Sequence, residues 1–107
     1  MIIKRNIIFS LEKRKKNGLE IVENLPIKVS IIYAGDRLDM STGYRVDLNK
    51  WNEDKRRVKP SIINKLKLSS SEINVCLVKM ESIIQDIFKV FEVKEEIPSM
   101  RVLKKTR

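Results

Sequence analysis

The residue types that make and break bonds are nearly missing from this chain. Its 107 residues include no histidine and one cysteine, Cys76. That excludes Cys–His pairs, a Ser-His-Asp set and zinc-finger spacing, and leaves no basis for an independent enzyme, a metal site or a cofactor. What remains is the chemistry of fixed charge. Lys and Arg number 23 against 14 Asp and Glu, a net charge of +9. Residues 1–68 hold 16 basic and 8 acidic side chains, residues 69–107 hold 7 and 6, so the positive field belongs to the first part of the chain. Two runs concentrate it: Lys13-Arg14-Lys15-Lys16, and Lys55-Arg56-Arg57-Val58-Lys59, which reads as solvent-facing except for Val58. A basic surface of this kind suits a phosphate backbone.

The elements that must position those cations follow from periodicity. Residues 2–13 alternate, with Ile7, Phe9 and Leu11 on one face and Asn6, Ser10 and Glu12 on the other, interrupted by Ile8. That is a half-buried strand. Asn17-Gly18 marks the turn of a long exposed hairpin loop that carries the first basic run. A second strand spans 26–34, where Ile27, Val29, Ile31 and Tyr33 alternate with Lys28, Ser30 and Ile32. Gly35-Asp36 suits a two-residue turn, and a third strand returns over 37–43. It directs Leu38, Met40 and Thr42 inward and Arg37, Asp39 and Ser41 outward, and Gly43 is expected to release the chain from the ladder. Val46, Leu48 and Trp51 lack strand spacing, which predicts a tight loop with Trp51 folded back on the core as an anchor.

From Ile62 the apolar positions recur as Ile62, Leu66, Ile73, Leu77, Met80, Ile84, Ile87 and Phe91, a helical stripe. The spacing predicts one helix over 62–92, entered at Ser61, with Ser69 and Glu72 as a competing capping pair. Cys76 falls within this apolar pattern as a small core residue. Residues 93–107 read as a polar connector in which Ser99-Met100-Arg101 begins another helix. The expected class is α+β, a three-stranded antiparallel sheet in meander order packed against one long C-terminal helix, in a single domain over 1–92. No apolar run reaches the length of a membrane span, the N-terminal residues lack a signal-peptide layout, and a lone cysteine agrees with a reducing, cytoplasmic setting.

The ordered set of strand, basic Asn-Gly loop, Pro-Ile strand, Gly hairpin, then Met40-Ser41-Thr42-Gly43-Tyr44-Arg45-Val46 and Trp51-Asn52, with Val58 beyond, resembles the N-terminal arm-type DNA-binding domain of tyrosine recombinases. More narrowly it is similar to the integrases of conjugative transposons and related mobile elements. The chain departs from that pattern at Glu12 and Ser30, where the family often carries arginine. The resemblance implies that the sheet lies in the major groove of duplex DNA at arm-type sites while the helix packs behind it. The outward face then offers Asn6, Lys28, Ser30, Arg37 and Ser41 as base-reading candidates. Lys4, Lys13, Arg14, Lys15, Lys16, Arg45, Lys55, Arg56 and Lys59 surround it as phosphate candidates. It also implies a non-catalytic role, with residues 93–107 leading toward a separate core-binding and catalytic region, so Tyr33 and Tyr44 are not read as nucleophiles.

The partners implied are double-stranded DNA and, beside it, other integrase protomers or excision factors, with no membrane and no small-molecule substrate. Two other readings compete. A three-stranded sheet backed by a helix also suits double-stranded RNA, although such domains usually lay helices on the duplex. A protein-interaction or oligomerisation module would use the helix stripe, and it predicts little salt-sensitive nucleic-acid binding.

Overall fold

The computed structural model describes residues 2–60 and 69–104. Three strands, β1 (Arg5–Leu11), β4 (Leu25–Tyr33) and β5 (Asp36–Val46), form an antiparallel sheet in the order β1-β4-β5. Between β1 and β4 stands a ribbon of β2 (Arg14–Lys16) and β3 (Leu19–Ile21). Side chains alternate across a sheet with period two, so the register decides which residues share a face. Ile7, Ile31 and Leu38 align across the three strands, as do Phe9, Val29 and Met40. Phe9, Leu11, Ile27, Val29, Ile31, Tyr33 and Leu38 are buried on that inner face. The α+β architecture is the expected one.

The turns differ from expectation in instructive ways. The β4–β5 turn is Ala34-Gly35 rather than Gly35-Asp36, because Asp36 still pairs with Tyr33. Both turn residues have positive φ, 50° and 78°, the mirror-image turn whose twist matches that of the flanking strands. The basic loop is itself a hairpin. Asn17 and Gly18 (φ 53° and 78°) turn it, and Arg14↔Ile21, Lys15↔Glu20 and Lys16↔Leu19 pair across it.

Gly43 does not end its strand. Lys28 pairs with Ser41 and Pro26 with Arg45, so Thr42, Gly43 and Tyr44 stand opposite Ile27 alone in a bulge. Gly43 adopts φ 86°, and the Thr42 hydroxyl donates to the Ile27 carbonyl at 2.8 Å while accepting the Tyr44 N–H at 3.2 Å. Pro26 lies at this irregularity, where a missing ladder donor is tolerated. β5 therefore continues to Val46, which is buried.

A 3-10 turn (Leu48–Lys50) leads into a two-residue hairpin of β6 (Trp51–Asn52) and β7 (Arg57–Val58) where a plain loop was expected. Trp51 is 5% exposed and its indole N–H donates to Glu53 at 3.1 Å, the anchor that the sequence suggests. Arg57, expected in solvent, lies half-buried with its guanidinium 5.1 Å from the Phe9 ring centre and 3.1 Å from Glu81.

The long helix α1 spans Ser70–Lys94. Ser69 is its N-cap in extended conformation (φ −74°, ψ 158°), accepting the Glu72 N–H at 3.2 Å while its hydroxyl donates to the Glu72 carboxylate at 3.1 Å. The competing capping pair is thus the one used, and the expected continuous helix does not run through Ser69. Its proposed start at Ser61, with Ile62 and Leu66, lies outside the described residues. Ile73, Leu77, Ile84 and Phe88 face the sheet, and Phe88 meets Tyr33 edge-on at 5.1 Å. Asn74 clasps β7 from the side: its carbonyl accepts the Val58 N–H at 2.9 Å and its amide donates to the Val58 carbonyl at 3.0 Å. The residues after α1, expected as a connector, pack back on this core. Pro98 is buried and accepts the Tyr33 hydroxyl at 2.7 Å, and Leu103 of α2 (Met100–Lys104) is fully buried. No helix among the described residues is long and apolar enough to cross a membrane.

Candidate nucleic-acid interface

With α1 on the inner face, the outer face of the sheet is left to solvent. Its register builds three rows across β1, β4 and β5: Asn6–Ile32–Arg37, Ile8–Ser30–Asp39 and Ser10–Lys28–Ser41. All five base-reading candidates therefore share one face. Asn6, Arg37 and Ser41 are exposed and Lys28 is half-buried. Ser30 differs from expectation, being only 2% exposed. It is covered from above, because its hydroxyl donates to Asp39 Oδ1 at 2.6 Å and accepts Arg37 Nη2 at 3.3 Å. Arg37 Nε donates to the same Asp39 oxygen at 3.0 Å. Asp39 is held below the usual carboxylate range, first by the Ser30 hydrogen bond, against the effect of its partial burial and with help from Arg37. It stays ionised. Beside it a depression of 260 Å³ opens between Glu12, Lys28, Asp39 and Ser41.

The phosphate candidates divide by what holds them. Lys13, Arg14, Lys15 and Lys16 are exposed along the β2–β3 ribbon, with Arg14 3.2 Å from Glu12. Lys4 is exposed beside the start of β1, at the end of the sheet where Asn6 and the Ala34-Gly35 turn lie. Arg45 is half-buried and donates to the Asn24 carbonyl at 3.3 Å. Lys55 is exposed at the β6–β7 turn. Arg56 is committed to the Phe9 carbonyl and to Glu53, both at 3.3 Å. Lys59 donates to the Asn49 carbonyl at 2.8 Å from an exposed position. The structure thus gathers the first basic run into one projecting ribbon and ties much of the second to backbone. Arg5 and Arg57 are drawn inward onto the Phe88 and Phe9 rings.

Asp39 was not singled out as a site residue by sequence reasoning. The available signal was its spacing, two residues from Arg37 in an alternating strand, which puts both on one face. Tyr33 is committed to Pro98, with its phenol raised by burial and by Asp36, and Tyr44 is raised mainly by its hydrogen bond with Cys76.

No curated protein and no solved structure matches this chain. A family model does, that of the arm DNA-binding domain, over residues 9–104. The match takes in all of β2 to β5, both small hairpin strands, α1 and α2. The polar outer sheet face, its basic ribbon and the helix behind it accordingly belong to a member of the arm DNA-binding domain family, the DNA-binding, non-catalytic part of tyrosine recombinases of the integrase type.

Proposed function

We propose that this chain recognises double-stranded DNA in a sequence-specific manner at arm-type sites, laying the outer face of β1-β4-β5 in the major groove. In this role it serves a tyrosine-type integrase during integration and recombination of a mobile element, of the conjugative-transposon kind, without itself cutting DNA. The observation that carries this reading is the three-row outer face. It is polar at every position but Ile8 and Ile32, three strands wide, and flanked by the Lys13–Lys16 ribbon. The major groove admits a β-ribbon. Asn6, Lys28, Arg37 and Ser41 address base edges, with Ser30 beneath them. Lys4, Lys13, Arg14, Lys15, Lys16, Arg45, Lys55, Arg56 and Lys59 serve the phosphates on either side.

Fluorescence anisotropy across a salt series tests this, with duplexes selected from a random pool, scrambled DNA and an RNA duplex of equal length. A preference for the selected DNA that persists near physiological salt supports the reading. Equal or tighter binding to the RNA duplex would move the domain to double-stranded RNA instead.

A protein contact is favoured by a separate observation. Val75, Val78, Ile83, Val90 and Val93 are exposed on α1, Val93 at 86%. This apolar flank suits another integrase protomer or an excision factor. Sedimentation of the chain with and without Val78→Asp checks self-association, and unchanged monomer in both leaves a different partner.

A further inference from the structure

The centre of the outer face holds a carboxylate where a surface built only for phosphate would hold none. Asp39 Oδ1 accepts both the Ser30 hydroxyl and Arg37 Nε, and Arg37 Nη2 reaches Ser30 Oγ, closing a three-membered network across β4 and β5. Its foot is fixed, since Ser30 is buried in the middle strand, while its top is open: the Arg37 and Asp39 side chains are 56% and 46% exposed.

Two consequences follow from the donor geometry and the charge. A guanidinium carries five N–H groups in a rigid fork, and Asp39 and Ser30 occupy the edge shared by Nε and Nη2. The second edge, between Nη1 and Nη2, is directed along the side chain and away from this network, and its parallel N–H groups can fork onto two further acceptors. Electrostatics then decides which acceptors. A phosphate approaching Arg37 would meet the ionised Asp39 beside it, whereas guanine presents O6 and N7 in the major groove with no net charge. The pair is close to neutral as a unit, so it adds discrimination and little to counterion release. Holding the arginine in advance also removes the rotamer freedom that would otherwise be lost on docking.

We propose that Asp39, together with Ser30, is a positioning residue that presents Arg37 to one guanine of the recognised duplex and so determines specificity at that base pair. The proposal rests on the reading that the outer face docks in the major groove.

The test uses duplexes selected from a random pool by the wild-type chain, and the same duplexes with each base pair changed in turn. Asp39→Asn, Asp39→Ala, Ser30→Ala and Arg37→Ala are compared by anisotropy, with thermal unfolding of each to verify the fold. The Arg37 Nε–H resonance in the free protein reports the network directly. Arg37→Ala is expected to reduce discrimination at one G·C pair by roughly 5- to 150-fold. Asp39→Asn and Asp39→Ala should weaken discrimination at that same pair. They should also bind scrambled DNA as tightly as wild type or more so, with a salt slope steeper by up to about 1, because a cation is released for phosphate. A slowly exchanging Arg37 Nε–H that is lost in Asp39→Ala completes the expected result. Unchanged discrimination in the Asp39 variants while Arg37→Ala alters it would overturn the role of Asp39 and leave the docking face standing. A uniform loss on all duplexes in the Asp39 variants would also overturn it. A wild-type chain that selects no sequence at all would defeat the docking reading first, and this proposal with it.

Discussion

Arg5 and Glu92 meet at 3.2 Å, joining the start of β1 to the last turns of α1. The same guanidinium lies 4.8 Å from the centre of the Phe88 ring and donates to Gln85 at 2.7 Å, and the same carboxylate accepts the Ile3 N–H at 2.9 Å. A cation that net charge alone would assign to DNA is thereby used to hold the sheet against the helix. Both side chains are largely buried, at 14% and 16% exposure, so removing one partner leaves the other poorly solvated.

Glu92 gives a pH signature. Its carboxyl is lowered from its ordinary 4.5, first by the Ile3 N–H bond and then, against desolvation, by Arg5. The folded state therefore binds its proton less readily than the unfolded state does. Its stabilising contribution is complete above the unfolded value and is lost as pH falls through the lower folded value. The difference in Tm between wild type and Glu92→Gln should be constant from about pH 6 to 8 and shrink below about pH 4. A difference that widens on acidification would contradict this.

Gly43 is required by backbone geometry and not by space. At φ 86° an added Cβ meets nothing within 4 Å, so Gly43→Ala carries conformational strain without a clash. The expected destabilisation is about 1–2 kcal/mol by urea unfolding. An unchanged midpoint would show that the bulge is not fixed by this residue.

Ser69 sets the start of α1. Ser69→Ala should cost about 1 kcal/mol, and Ser69→Asp should recover most of it, since either oxygen can accept the Glu72 N–H. Circular dichroism during thermal unfolding reads both variants. No loss in the alanine variant would mean that the helix does not rely on this cap.

The β2–β3 ribbon should carry much of the salt dependence. Replacing Lys13, Arg14, Lys15 and Lys16 together by Gln is expected to flatten the slope of log K against log salt by as much as about 3.5. Selected and scrambled duplexes should weaken alike, because phosphate contacts hold position without reading sequence. An unaltered slope, measured by anisotropy at four or more salt concentrations, would remove the ribbon from the interface.

Much of the sheet was legible because inner-face burial enforces alternation. Ile27, Val29, Ile31 and Tyr33 could not be placed on the other face without exposing the core. The ribbon was less legible, since Lys13 to Lys16 carry no apolar alternation and only Asn17-Gly18 marked a turn. Gly43 misled because a glycine after Ser-Thr signals a strand end and a bulge equally well; the pairing of Arg45 with Pro26 distinguishes them, and that is a long-range fact. Ala34 at positive φ is uncommon for a residue with a side chain, so Gly35-Asp36 was the more natural turn. The outer-face residues were found by periodicity, but the burial of Ser30 comes from its neighbours on β5 and not from the core. Arg5 and Arg57 escaped for a related reason: long cationic side chains lay their stems and planes along apolar rings while keeping a charged partner.

The two bonds between Asn74 and Val58 do more than close the edge of a two-residue strand. A side-chain amide here imitates a neighbouring peptide, donating and accepting at once, so it fits only when donor and acceptor both arrive in register. Advancing α1 by a single residue means a 1.5 Å slide and a turn of about 100°, and either displacement breaks both bonds together. Greasy side chains such as Leu77 and Ile84 tolerate small slippage, whereas this fork does not. Asn74 therefore acts as an indexing pin, giving the helix one permitted notch on the sheet.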